Sequence, residues 1–525
     1  MSDGSREVEE IDGCDGQPKA RTAVVAFAIA LLLFGVYALS SGGHTYSSDE
    51  EGMLLSARQM LGHGTPELPL SEDNVAVTPS VPGRDGKPVG VSGLAQIVVM
   101  GPFLGAGELV ATTVSDPWGD YTVRLFTGFT NAAVTAAGVA LFFLLCVELG
   151  ASRRWSLLLA LVYGLGTFAW PHAKTMFSEP VTVTLLLAAA LCAVRFRTRA
   201  RPVHAVLAGA FLAAALFGRP SAVVFVPVVC TYVAWVARER AGLAGVARAA
   251  GLVVAGALPL LALLLVSNWW RFGSPLDLGY EKVPLDHPIA EGLYGFLLSP
   301  GKSIFLYAPA VAVGLVAAFF ARRERRPEVL LVLGMAVINL LFFARFVHWH
   351  GDHSWGPRYL ALSLPFFLVP VAAVAGNAPW RRAVLVAGAL GAASALLGTV
   401  MYFNQYFAVA EVELGSGADA EGPRYWKSLH FDAYWSPILG HARLLDDVVS
   451  QGADGIERGM PEKPFVGRTS TTQYRYFWYF GPPSPDSWVY WNLAARAPRR
   501  MLLLVPLQVA AVVAGALLLK RNIDA

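Results

Sequence analysis

Three acidic residues in a row, Asp49, Glu50 and Glu51, follow an apolar run that ends near residue 41. A carboxylate beside hydrocarbon is costly unless water, a partner or a task accounts for it. Ser48 and Glu51 have capping-box spacing, which predicts a helix start. Acids in a first turn complement the helix dipole, and that alone is a sufficient structural role. The chemical role is that the dipole keeps Asp49 ionised, so that it accepts a proton from a substrate hydroxyl.

Other chemistry-bearing residues sit at similar boundaries. Ser178-Glu179-Pro180 places a carboxylate at a predicted span start, with His172 and Lys174 just before it. This is also an ordinary helix start with proline in its first turn. Arg219 stands alone in a tight turn, and Arg271 and Lys302 flank another loop. The stretch FVHWHGDHSWGPRYL gathers His348, His350, Asp352, His353 and Arg358. These histidines and Asp352 suit three uses: a divalent cation, hydrogen bonds to a sugar or phosphate, or a satisfied interfacial turn. Loop alternation is not a specific metal signature, so no metal is assigned and no cofactor is expected. Lys174, Arg219, Lys302 and Arg358 are the cations suited to a phosphate. Gly301-Lys302-Ser303 is not a nucleotide-binding loop, because no glycine lies at the required upstream spacing and no strand precedes it.

The elements that must position these residues are membrane spans. The chain of 525 residues is 55% hydrophobic and 15% charged, whereas a soluble domain carries about 25% charged residues. Apolar runs near 22–41, 122–149, 155–170, 176–196, 203–218, 221–237, 250–267, 303–320, 328–347, 360–376, 381–403 and 500–519 predict an all-α polytopic membrane protein. It has about twelve transmembrane helices. The connections SRRW, RFRTRARP, ARERAGLAGVARAAG, ARRERRPE and APWRR and the tail KRNIDA are rich in arginine or lysine. The positive-inside bias therefore places them, and both termini, in the cytoplasm. Residues 93–113 are apolar too, but a span there would put the arginine clusters outside. They are predicted to lie on or dip into the outer face, as an amphipathic helix in a long first extracytoplasmic loop, 42–121.

The domain reading is a cytoplasmic tail (1–21), a transmembrane domain (22–403), an aromatic-rich extracytoplasmic segment (404–499), and a last span with its tail (500–525). The aromatics of that late segment serve as interface anchors or as stacking faces for sugars. The net charge of +3 is small, and no nucleic-acid partner is implied. The four cysteines read as free thiols.

An acidic pair after the first span, followed by an amphipathic helix ending in ML-x-x-G and a proline, resembles the GT-C superfamily of membrane glycosyltransferases. Its protein O-mannosyltransferase and aminoarabinose-transferase branch is the most similar. GKPVGVSGLAQIVVMGPFLGAG resembles the second surface helix of that family's first outer loop. WPHAKTMFSEPVTVTLL resembles its next outer turn, and SWGPRYL resembles an element whose arginine meets the donor phosphate. The resemblance implies transfer of a sugar from a polyprenyl-phosphate donor to an acceptor hydroxyl of a glycan, lipid or protein. It implies Asp49 as catalytic carboxylate with Glu50 and Glu179 as helper acids. Lys174, Arg219, Lys302 and Arg358 would meet the donor phosphate, and His348, His350, Asp352 and His353 the substrate. Location follows as the inner (plasma) membrane of a bacterial cell envelope, with the site extracytoplasmic among membrane lipids.

Two other classes predict different sequences. A lipid or glycan transporter should carry charges within spans or two matching halves, and a non-catalytic scaffold has no need of the acids. An O-antigen ligase or polymerase would place its main functional loop late in the chain.

Overall fold

The computed structural model describes residues 16–69, 79–91, 93–114, 118–280, 285–374, 376–414, 423–459, 485–494 and 499–524. Among them, eight helices are long and apolar enough to cross a membrane, from Ala20–Leu39 to Arg499–Asn522. The chain is an all-α polytopic membrane protein, with one short antiparallel pair, Ser80–Pro82 against Pro88–Gly90. That pair includes part of the GKPVGVSG stretch expected to open a surface helix. The helix itself is Leu94–Ala111.

Several predicted spans take a different form. Residues 225–272 run as one element, but Ala241 and Gly242 leave helical geometry, with φ of 59° at Gly242. Glycine adopts that conformation without a Cβ penalty, and the chain turns there between the two predicted spans. The predicted span 303–320 becomes Ile304–Tyr307 and Ala310–Phe319, broken at Pro309. The predicted span 360–376 becomes three short turns, Arg358–Leu362, Leu364–Leu368 and Val369–Ala373. Pro365 and Pro370 each remove a backbone donor there. These turns are buried, so neighbouring helices cover their backbone.

The predicted sidedness is internally consistent. Residues expected inside meet one another: Glu148 pairs with Arg195 at 3.2 Å and Arg199 at 2.9 Å. Arg197 pairs with Glu328 at 2.6 Å, and Arg154 with Asp524. The loops expected outside also meet one another, around the candidate functional site. Both ends of Leu94–Ala111 lie there. A Cβ on Gly93 would come within 1.8 Å of the Gly218 carbonyl, and Glu108 pairs with Arg58 at 2.8 Å. Both ends of this helix thus meet loops expected outside, although it is itself one of the eight helices long and apolar enough to cross.

Close helix crossings hold the bundle together. A Cβ on Gly256 would lie 1.9 Å from the Val206 carbonyl, and one on Gly209 2.0 Å from the Val253 carbonyl. In lipid, association rests on such backbone approach rather than on burial from water. Gly256→Val should therefore cost about 1–3 kcal/mol by overpacking. Gly251, whose Cβ would meet nothing within 4 Å, is the matched control. Thermal melting of the purified variants should show a lowered midpoint for Gly256→Val and an unchanged one for Gly251→Val.

Candidate functional site

The segment that follows the Ala20–Leu39 helix exposes one acid and buries two. Ser47, one residue earlier than the predicted cap, accepts from the Glu50 N–H and starts the Ser48–Ala57 helix. Glu51 turns inward to a two-pronged ion pair with Arg124, with both N–O distances 3.0 Å, and its Oε1 accepts from Thr45 Oγ1 at 2.6 Å. Glu50 is fully buried and its Oε2 accepts from the Tyr46 N–H at 2.9 Å. Burial pushes its carboxyl well above the ordinary range, only partly offset by the backbone N–H groups of Tyr46 and Met176. Asp49 alone keeps its side chain 43% exposed. Of the three acids, it is the one that an incoming molecule can touch.

Asp49 faces a cluster drawn from three other loops. Its Oδ2 lies 3.5 Å from Arg358 Nη2. Arg358 Nε lies 3.2 Å from Glu179 Oε1, and Arg219 Nη1 reaches the same oxygen at 2.7 Å. Glu179 is 1% exposed and so sits between two guanidiniums. Arg219 also donates to Ser178 Oγ at 3.1 Å. The Arg358 guanidinium covers the Phe177 ring at 4.5 Å. Burial opposes its charge, but Glu179, Tyr359 and Asp49 outweigh that and raise its pKa. Tyr280, half exposed, stands within electrostatic reach of Asp49, Arg219 and Arg271. The sequence reading passed over it, although an aromatic closing an otherwise polar loop was a signal.

The two lysines are placed differently from the arginines. Lys302 is 1% exposed, and its ammonium donates to the carbonyls of Asp352, Ser354 and Gly356 at 3.0–3.1 Å. It organises the tight turn that includes Gly351, Asp352 and Gly356, all at positive φ. Lys174 is 0% exposed at its side chain and pairs with Asp486. Both were expected to meet a donor phosphate; both have their ammonium groups on protein acceptors.

The histidine loop is largely a packing surface. His350 stacks on Trp426 at 4.4 Å and lies 4.7 Å from His430. His353 stacks between Phe407 and Trp426, and its Nε2 meets the Tyr425 hydroxyl at 2.9 Å. Burial pushes His350 down to about 3 and His353 down to about 4, so both are neutral at pH 7. They dock the Pro423–Phe431 helix onto the site loop. His348 is exposed, and ligand atoms of His348, His350 and Asp352 lie within 4.8 Å of one another. His350 Nδ1 already accepts from the Asp352 N–H at 3.1 Å, so a cation bound at that nitrogen would displace this bond.

A second buried cluster lies behind the loop and was not anticipated. Asp486 accepts from Lys174, from Tyr46 Oη at 2.7 Å and pairs with His44 Nε2 at 2.7 Å. Burial alone would raise its carboxyl, but Lys174 and His44 hold it well below the usual range. Asp486 falls in the late aromatic segment; most of TTQYRYFWYFGPPSPDSWVYW lies outside the described residues.

No family model and no curated protein matches this chain. Among solved structures, the chain is similar to ArnT from Cupriavidus metallidurans, whose crystal structure is bound to undecaprenyl phosphate. The identity is 14%, the superposition covers 88% of this chain and 85% of that one, and the TM-score is 0.41.

The Arg124–Glu51 pair fixes the base of the acidic helix, with side chains only 8% exposed on both partners. Removing one partner of a buried pair costs about 3–5 kcal/mol, because the other charge is left uncompensated. Arg124→Ala should lower the melting midpoint strongly. Arg124→Ala with Glu51→Gln should recover much of that loss in the same melting assay; if it recovers none, the pair is not what holds the helix.

Proposed function

We propose that this protein is a glycosyltransferase of the GT-C type. It would move a sugar from a polyprenyl-phosphate donor to an acceptor hydroxyl on the extracytoplasmic face of a bacterial inner membrane. The observation that carries the reading is one open carboxylate, Asp49, 3.5 Å from a buried arginine that shares Glu179 with a second arginine. A base for a hydroxyl thus stands beside a fixed pair of guanidiniums suited to a phosphate. The residues that resemble the family's motifs supply Asp49, Glu179 and Arg358, the core of this cluster.

In this mechanism Asp49 takes the proton of the acceptor hydroxyl as its oxygen attacks the anomeric carbon. The bond from that carbon to the phosphate oxygen breaks, and the electron pair leaves with the polyprenyl phosphate. Arg358 and Arg219 stabilise the charge that develops there, as donors already oriented toward it. Glu179 keeps the two guanidiniums together and aimed. Glu50, buried and accepting from the Tyr46 N–H, supports the loop. A single displacement inverts the anomeric configuration. Lys302 and the histidines act through the loop that carries Arg358, with exposed His348 and Asp352 left to meet the substrate. The acceptor would reach Asp49 through its exposed side.

The test is incubation of the purified protein with a panel of polyprenyl-phosphate sugars, following donor loss and transfer. One donor should be consumed, and Asp49→Asn should lower the rate about 10²–10⁴-fold, the usual contribution of a general base. Arg358→Gln should raise the donor KM about tenfold or more, since a charge-assisted contact is worth about 1.5–3 kcal/mol. Full turnover by Asp49→Asn would remove the proposed base.

A further inference from the structure

The cluster around Asp486 does not touch the open face of the site, yet the segments that lead into Asp49 and Glu179 both pass through it. Asp486 is held from the backbone side: its N–H donates to the Val400 carbonyl at 2.6 Å. Lys174 approaches from the turn before Glu179, and its ammonium also donates to the Thr399 carbonyl at 2.6 Å. Both side chains are 0% exposed. The two carboxylate oxygens of Asp486 then divide between His44 and Tyr46, each at 2.7 Å.

The grip continues toward Asp49 without a gap. The Tyr46 carbonyl accepts from Asn404 Nδ2 at 2.5 Å. The Tyr46 N–H donates to Glu50, and Ser47 caps the helix that begins one residue before Asp49. Beyond Asp486, Trp488 donates from its N–H to Ser41 and from its indole to Ala38, both at 2.8 Å. Asn492 donates to Tyr121 Oη at 3.1 Å. Residues 485–492 thus lie across the end of the first span as a strap. Gly42 makes room for it: a Cβ there would lie 2.4 Å from Asp486 Oδ1 and from Tyr46 Oη.

We infer that the buried Lys174–Asp486 pair is a positioning device, which fixes Tyr46 and through it Asp49, and that Lys174 is not a phosphate ligand. The inference rests on the proposed transferase for its kinetic consequence and on the geometry alone for its structural one. A buried ion pair is a poor source of stability, because desolvation offsets the attraction. What it does provide is one allowed arrangement: an ammonium with two acceptors and a carboxylate with three partners cannot shift without leaving a charge unpaired. Precise placement of a base is worth such a cost, since small displacements of a reacting group lose large factors in rate. The pair joins residues 312 positions apart, so it also ties the late segment to the first loop.

The test uses the full-length protein with Lys174→Met, Asp486→Asn and the double variant. Amide exchange is read across residues 41–52, with the predicted-cytoplasmic half of Glu179–Arg199 as internal reference. Lys174→Met should speed exchange across 41–52 about tenfold or more and leave the reference unchanged, as expected of a local opening. In the transfer assay its kcat should fall about tenfold or more with donor KM within about twofold, the pattern of a misplaced catalytic group. The double variant removes both charges but keeps an amide that bonds His44 and Tyr46, so it should restore protection and most of kcat. Unchanged exchange in Lys174→Met and Asp486→Asn would overturn the inference. So would a raised donor KM with kcat preserved, which would make Lys174 a phosphate contact. If the wild type turns over no donor, the transferase reading fails, and the exchange data still decide whether the pair holds the loop.

Discussion

The Arg358 guanidinium is the charge around which the site face is arranged. It does not lose its proton at any accessible pH, so its burial obliges the fold to supply anions. Two come to it from remote places in the chain, Asp49 at 3.5 Å and Glu179 at 3.2 Å. Glu179 in turn needs more than one partner at 1% exposure and finds Arg219. Four residues from four loops are therefore placed by mutual necessity. The cluster has no net charge when empty. An arriving phosphodiester would be met by two guanidiniums already oriented, with no reorganisation needed at the moment of reaction.

The membrane domain makes this arrangement available. Helices packed through backbone contact at glycines set the spacing of their ends, and the end-loops of one face are thereby brought together. Behind the open cluster stand two buried pairs, Arg124–Glu51 and Lys174–Asp486, one on each side of the 44–51 loop. They divide the acids of that loop by role. Glu51 is tied down by Arg124, Glu50 is fully buried, and Asp49 remains open. Three carboxylates adjacent in sequence meet three different environments in the fold.

Much of this was legible in the sequence. Hydropathy gave the class, an all-α chain with several helices long and apolar enough to cross a membrane. Asp49, Glu179, Arg219 and Arg358 were each picked out as charges at span ends, where charge is expensive. Their pairing was not legible, because periodicity carries no information about which distant loops meet. Lys174 and Lys302 looked like Arg219 and Arg358 in sequence. Only the fold shows that one faces Asp486 and the other a ring of carbonyls. The spacing of His350 and His353 left several uses open, because it does not reveal that Trp426 and Phe407 stack on them. Asp486 was hidden among aromatics, 442 positions from His44. The prolines at 309, 365 and 370 marked where predicted spans would break, and hydropathy averaged over them.

The central claim is that Arg358 and Arg219 together receive a lipid phosphate within reach of Asp49. Its most direct test is a cryo-electron microscopy structure of the protein in nanodiscs with a polyprenyl phosphate bound. The account predicts phosphate density within about 4 Å of both guanidiniums, with the Asp49 carboxylate facing the same opening. Phosphate bound elsewhere on the molecule, with Arg358 and Arg219 still closed on Glu179 and untouched by the lipid, would contradict it.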